Sequence, residues 1–142
     1  MTTVPPEAEA LITDRKLMAH LATSVDDRPR VAPVWYDYED GTISVLTGGR
    51  KRDDVQQNPR VAVSIQEDRD GDALWFVSLK GTATVVDDVS AINEAARTIY
   101  TRYVGPDVEE WDAFYRDHLG ENPPNSLVEI AVGSVAYDVY EE

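Results

Sequence analysis

"RVAPVWYDYEDGTISVLTGGRKRDDVQQNPRV", residues 30–61, alternates β-forming runs with turn residues, and its reading decides the fold. Val, Ile, Thr, Trp and Tyr crowd RVAPVWYDY and TISVLT, and the EDG between them is a hairpin signal, so the stretch predicts strand, turn, strand. The polar RKRDDVQQNP that follows has room for one helical turn before Pro59. Upstream, LMAHLATSV reads as another strand and stops at DDRP. Downstream, RVAVSIQ alternates, and ALWFVSLKGTATVV predicts one long strand with Gly81 as a bulge or bend. SLVEIAVGSVAYDVY predicts the closing strand. At the start, EAEALITDRK follows Pro5-Pro6 with acidic residues early and basic residues late, the polarity of a short helix. Later, Ala91, Ala95, Ile99 and Tyr103 recur every four places behind Ser90 as cap, and DVEEWDAFYRDHLG predicts a further helix ending at Gly120. The sum is a single mainly β or α+β domain over 1–142: about six antiparallel strands in a small barrel, with a helical insert at about 88–120.

Composition narrows the function. The 142 residues carry 13 Lys plus Arg against 27 Asp plus Glu, a net charge of −14 dispersed along the chain. Such a surface repels phosphate backbones and anionic lipid, which argues against nucleic-acid and membrane partners. With Lys16, Lys51 and Lys80 as the only lysines, it resembles the acidic, hydrated surfaces of halophilic proteins. Absence of cysteine removes disulfides and thiolate sites, and two histidines cannot build a typical zinc site, so no metal is expected. No apolar run approaches the roughly 20 residues of a membrane span, and MTTVPPEAEA lacks the regions of a signal peptide, so a cytoplasmic location is expected.

Against that acidity, Arg50, Lys51 and Arg52 stand side by side behind Gly48-Gly49. They are either a solvated turn or an anion site. A strand ending in Thr47, then two glycines that let backbone N–H groups face an anion, then the Arg50 fork and the mobile Lys51 charge, suits a terminal phosphate. The glycine spacing matches neither a Walker loop nor a dinucleotide fingerprint. On the neighbouring strand, Pro33 lacks an N–H and leaves a gap in the ladder where a flat ring could lie. Trp35, Tyr36 and Tyr38 either stack on that ring or belong to the core and barrel rim; Trp75, Phe76, Trp111, Phe114 and Tyr115 read first as core or dimer interface.

In series, Pro33-Val34-Trp35, Asp40-Gly41, Thr47, Arg50-Lys51 and Asn58-Pro59 resemble the flavin-binding split-barrel family that includes pyridoxamine 5′-phosphate oxidase and the deazaflavin F420-dependent reductases. The resemblance spans most of the chain. It implies a six-stranded antiparallel split β-barrel with a few peripheral helices, binding FMN, or alternatively F420, in a homodimer with the cofactor at the interface. Arg30, Val31, Ala32, Pro33, Val34 and Trp35 would run along the ring and phosphate, while Thr47, Arg50 and Lys51 would hold the phosphate. The implied activity is a flavin-dependent oxidoreductase passing hydride to or from a small organic substrate. A noncatalytic flavin-binding or stress-associated protein is the rival. Departures exist: the C-terminal Arg/His motif of pyridoxamine phosphate oxidases proper is replaced by VEIAVGSVAYDVYEE, which argues against that activity. A family glutamine corresponds to Phe76 and an Asn-Leu pair to Asp54-Val55.

No nucleophile elbow or Ser-His-Asp order occurs, and adjacent carboxylates such as Asp26-Asp27 and Asp87-Asp88 read as solvated charge. His20 falls within a strand and His118 near a helix C-terminus, where a cation is favourable; neither is assigned a catalytic role.

Overall fold

The computed structural model describes residues 4–140. Helix α1 (Pro6–Ile12) precedes strands β1 (Ala19–Val25), β2 (Arg28–Val34), β3 (Asp37–Glu39) and β4 (Thr42–Thr47). Helix α2 (Gly49–Gln57) leads to β5 (Arg60–Arg69) and β6 (Asp72–Val86); helices α3 (Val89–Tyr103) and α4 (Ala113–Arg116) come before β7 (Ser126–Val139). All strand pairs are antiparallel, in the order β2-β1-β5-β6-β7-β4-β3. The open sheet is consistent with a split barrel.

Three hairpins are tightened by two-residue loops with both central residues at positive φ: Asp26-Asp27, Asp40-Gly41 and Asp70-Gly71. That geometry matches the strand twist, and Asp and Gly tolerate it. Strand alternation then sends Leu21, Ile43, Val45, Val63, Ile65, Val77, Leu79, Val128 and Ile130 into one core, with Ala8 and Ile12 of α1 packed among them.

The sheet has seven strands where six are expected, because RVAPVWYDY breaks at Trp35-Tyr36. β2 pairs with β1 and β3 pairs with β4, so the two outer edges of the sheet are joined by only those two residues. Pro29 and Pro33 are tolerated on β2 because it is an edge strand. Arg102 of α3 fastens this seam: its guanidinium donates to the Tyr36 carbonyl at 3.2 Å and to Asp37 at 3.0 Å.

Other boundaries move for local reasons. α1 stops before Arg15 and Lys16, and its last turn holds no base; Asp14 takes a positive φ of 55° just beyond it. α2 runs nine residues, not one turn. Asp88, not Ser90, caps α3 by accepting from the Ala91 N–H, and the buried stripe is Ile92, Ala96, Ile99, Tyr100 and Tyr103, which keeps the expected Ile99 and Tyr103 and has Ile92 and Ala96 in place of Ala91 and Ala95. The expected second insert helix is instead α4 flanked by 3-10 turns at Val108–Glu110 and Asp117–Leu119.

Gly81 sits at a register shift between β6 and β7, as its position in the long strand suggests. A Cβ there would lie 2.3 Å from the Ala131 carbonyl oxygen, which is backbone and cannot step aside. Gly81→Ala is expected to cost about 1–3 kcal/mol or more through overpacking, read as a lower urea midpoint with unchanged slope.

Candidate functional site

Two hollows meet on one side of the sheet. The larger, about 460 Å³, is lined by Met18, Pro33, Val34, Trp35, Leu46, Thr47, Gly48, Lys51, Ile99, Tyr100, Phe114, Tyr115 and Asn125. The smaller, about 190 Å³, is lined by Leu21, Thr23, Arg30, Val31, Ala32, Arg50, Lys51 and Asp54. Lys51 belongs to both. The nine residues expected from the sequence are therefore gathered around one lysine, five on the larger hollow and five on the smaller with Lys51 shared. Among the described residues no carboxylate lines the larger cleft, notable in a chain of charge −14.

The geometry separates the cations. β4 ends at the nearly buried Thr47, Gly48 is extended, and Gly49 at φ +59° opens α2. No side chain caps that helix and no acid lies in its first turn. Arg52 is engaged elsewhere: it donates to Asp87 at 3.0 Å, whose other carboxylate oxygen accepts from the Ser126 hydroxyl. The Ser126 and Arg52 bonds hold the Asp87 carboxyl below its usual range. Arg30 is also met: its Nη1 donates to both oxygens of Asp54 at 2.8 and 3.0 Å, and the Thr23 hydroxyl donates to the same buried carboxylate at 3.0 Å. Asp54 is thus the counter-charge of Arg30. Among the described residues, neither Arg50 nor Lys51 has an ion-pair partner.

The aromatic residues divide differently from the stacking alternative. Trp35 stacks with Tyr103 at 4.9 Å and with Tyr115 at 5.8 Å, and Tyr100 stands edge-on to it at 5.9 Å. It contributes to the cleft wall as part of a second aromatic core with Tyr100, Tyr103 and Trp111. Tyr36 is fully buried, its hydroxyl donating to the Ile12 carbonyl at 2.6 Å, and Tyr38 donates to Glu9. Both are core residues. Burial pushes the Tyr36 hydroxyl well above the usual tyrosine range and that of Tyr100 up to about 12, so Tyr100 meets the cleft as a neutral hydroxyl. Trp75 and Trp111 are core, as read from the sequence, whereas Phe114 is 64% exposed at the cleft and Phe76 lines neither hollow.

His118 is not a surface cation. It is completely buried, and desolvation pushes its pKa down. Its Nδ1 lies 3.1 Å from the Phe114 carbonyl and its Nε2 3.1 Å from Asn125 Nδ2. Asn125, Met18, Ile99 and Tyr100 are cleft residues with no spacing signal relative to the Thr47–Lys51 stretch, since only the fold brings them to it.

Among the described residues no group of three or more His, Cys, Asp or Glu is placed to hold a metal ion, and no helix is long and apolar enough to cross a membrane.

Solved structures share this architecture. A conserved hypothetical protein of Mycobacterium tuberculosis superposes with a TM-score of 0.78 at 22% identity, covering 97% of this chain and 86% of that one. An F420 reductase gives 0.71 at 22% identity over 94% and 98% of the two chains, and an FAD-binding protein of Mesorhizobium loti gives 0.67 at 18% over 94% of each. No curated protein sequence matches significantly. The family model described as pyridoxamine 5′-phosphate oxidase matches residues 5–136, nearly the whole chain. By its split-barrel fold and by that match, the chain belongs to the pyridoxamine 5′-phosphate oxidase family.

Proposed function

We propose that this protein is a flavin-dependent oxidoreductase that holds FMN by its phosphate and transfers hydride to or from a small organic substrate. One observation carries the reading: among the described residues Arg50 and Lys51 have no ion-pair partner, at the uncapped N-terminus of a nine-residue helix with no acid in its first turn, while Arg30 and Arg52 beside them are each paired. Two cations on the positive end of a helix dipole are unfavourable until an anion joins them. The donor set fits a phosphoryl group: the Thr47 hydroxyl, the glycine-flanked backbone, the Arg50 fork and the Lys51 ammonium.

In the bound state FMN supplies the redox chemistry. The chain's own residues bind and orient. Pro33, Val34 and Leu46 give an apolar wall that excludes water, and the aromatic stack behind Trp35 keeps that wall rigid. Arg30, Val31 and Ala32 border the smaller hollow on the edge strand. Exposed Val31, Met18 and Phe114 rim the two hollows, so a second subunit laid over them would bury apolar surface and complete the pocket; a homodimer with the cofactor at its interface belongs to this reading.

F420 in place of FMN is the second reading, supported by the likeness to an F420 reductase. Mass spectrometry of the small molecule that co-purifies from the native host tests both. FMN is the expected result; F420 selects the second reading; a colourless protein that ignores both added cofactors rejects the flavoprotein assignment.

A further inference from the structure

Asn125 is held in a way that fixes what it shows the cleft. The Phe114 carbonyl can only accept, so His118 Nδ1 carries a proton and donates to it at 3.1 Å. His118 is completely buried, and desolvation favours its neutral form. Its Nε2 is then a bare acceptor, and the Asn125 amide must turn its NH2 toward it, at 3.1 Å. Oδ1 is left on the other side. There it lies so close to Gly48 that a Cβ on that glycine would sit 2.9 Å from it, and among the described residues no protein donor reaches it. Asn125 lines the larger cleft together with Thr47, Gly48 and Lys51.

We propose that Asn125 is a specificity-determining residue of this cleft: locked by His118 into one amide orientation, it offers Oδ1 as an acceptor to a hydroxyl or N–H of the bound molecule, next to the anionic group that Lys51 holds. This rests on the flavin reading above, under which the donor is a ribityl hydroxyl near the phosphate. A phosphorylated polyol presents that pair, an anion and an adjacent hydroxyl, whereas inorganic phosphate lacks the second half. His118 is a positioning residue here, since it acts through Asn125.

Protonation reverses the arrangement. As pH falls through the depressed pKa of His118, Nε2 gains a hydrogen, the amide turns Oδ1 toward it, and the cleft is shown NH2 in place of an acceptor. The charged group facing His118 is Asp117 on its own segment, which favours the cation, as do the backbone hydrogen bonds to Phe114 and Tyr115 of α4; Tyr100 from α3 and Phe114 meet it with ring edges, and Asn125 from the loop before β7 is neutral.

The experiment is a fluorescence titration of the full chain with FMN between about pH 8 and pH 5, for wild type, Asn125→Ala and His118→Gln. Gln places an amide oxygen where Nε2 stands, so it preserves the acceptor for Asn125 and removes the proton. At the alkaline end Asn125→Ala is expected to bind FMN about tenfold more weakly than wild type, the effect of one lost hydrogen bond, while His118→Gln stays within a few-fold of wild type. Toward acid, wild type is expected to converge on Asn125→Ala while His118→Gln holds its advantage; the titration of FMN's own phosphate is common to all three and cancels in the ratios. Thermal unfolding of each variant separates these effects from loss of fold. Equal FMN affinity in wild type and Asn125→Ala overturns this inference and leaves the flavin reading standing. Convergence of His118→Gln with Asn125→Ala at every pH overturns the positioning role. A wild-type protein with no affinity for FMN overturns the flavin reading and this inference with it.

Discussion

Replacing Arg50 and Lys51 together by alanine is expected to weaken FMN binding by about two to four powers of ten. Each charge-assisted bond to a phosphate contributes about 1.5–3 kcal/mol, and about 1.4 kcal/mol is a factor of ten in affinity. Exposed Arg50 falls at the lower end of that range because solvent screens it, and half-buried Lys51 at the upper. Arg52→Ala is the internal control. That arginine already belongs to Asp87, and its loss is expected to change FMN affinity by less than about fivefold, the range of a surface ion pair. Isothermal titration with FMN reads all three proteins. Equal losses in the double variant and the control would mean that general charge, and not a phosphate clasp, governs binding.

The second large effect concerns stability. Trp35→Ala is expected to cost about 2–3 kcal/mol in urea unfolding, below the full penalty for a buried ring because this one is half-buried. The ring stacks with Tyr103 and Tyr115 and meets Tyr100 edge-on, and it sits in the two-residue link that joins the outer strands. Its removal uncovers one side of the second core and loosens the seam together. Trp35→Phe keeps part of the stack and is expected to retain more than half of that stability. A loss below about 1 kcal/mol for the alanine variant would place the ring outside the packed core.

The barrel was legible because its signals are local. Alternation in TISVLT and RVAVSIQ, the Asp-Gly loops and the bulge at Gly81 each depend on near neighbours in sequence. Thr47, Arg50 and Lys51 were legible for the same reason, since a strand end, two glycines and two cations occupy one short stretch. What failed depends on distance. The break at Trp35-Tyr36 follows from two strand partners far apart in the chain and from Arg102, which reaches back 66 residues to the Tyr36 carbonyl. Arg30 looks as free as Arg50 in the sequence, and only the fold brings Asp54 to it. His118 carried a surface signal, its place near a helix end, that burial overrode. Tyr36 and Tyr38 face inward on the same alternation that buries Val34, which continues through the break.

The cleft is assembled from two parts with unequal obligations. Its floor, from Pro33 to Trp35 and from Leu46 to Lys51, is barrel framework. Its roof, Phe114, Tyr115 and Asn125, hangs in the excursion between β6 and β7, and of these Phe114 has most of its surface in water. Changes at Phe114 can therefore retune which molecules are admitted at little expense to the scaffold, whereas changes to the floor unsettle both together. Diversification among proteins built this way should accumulate overhead, along that excursion, while the footing stays put.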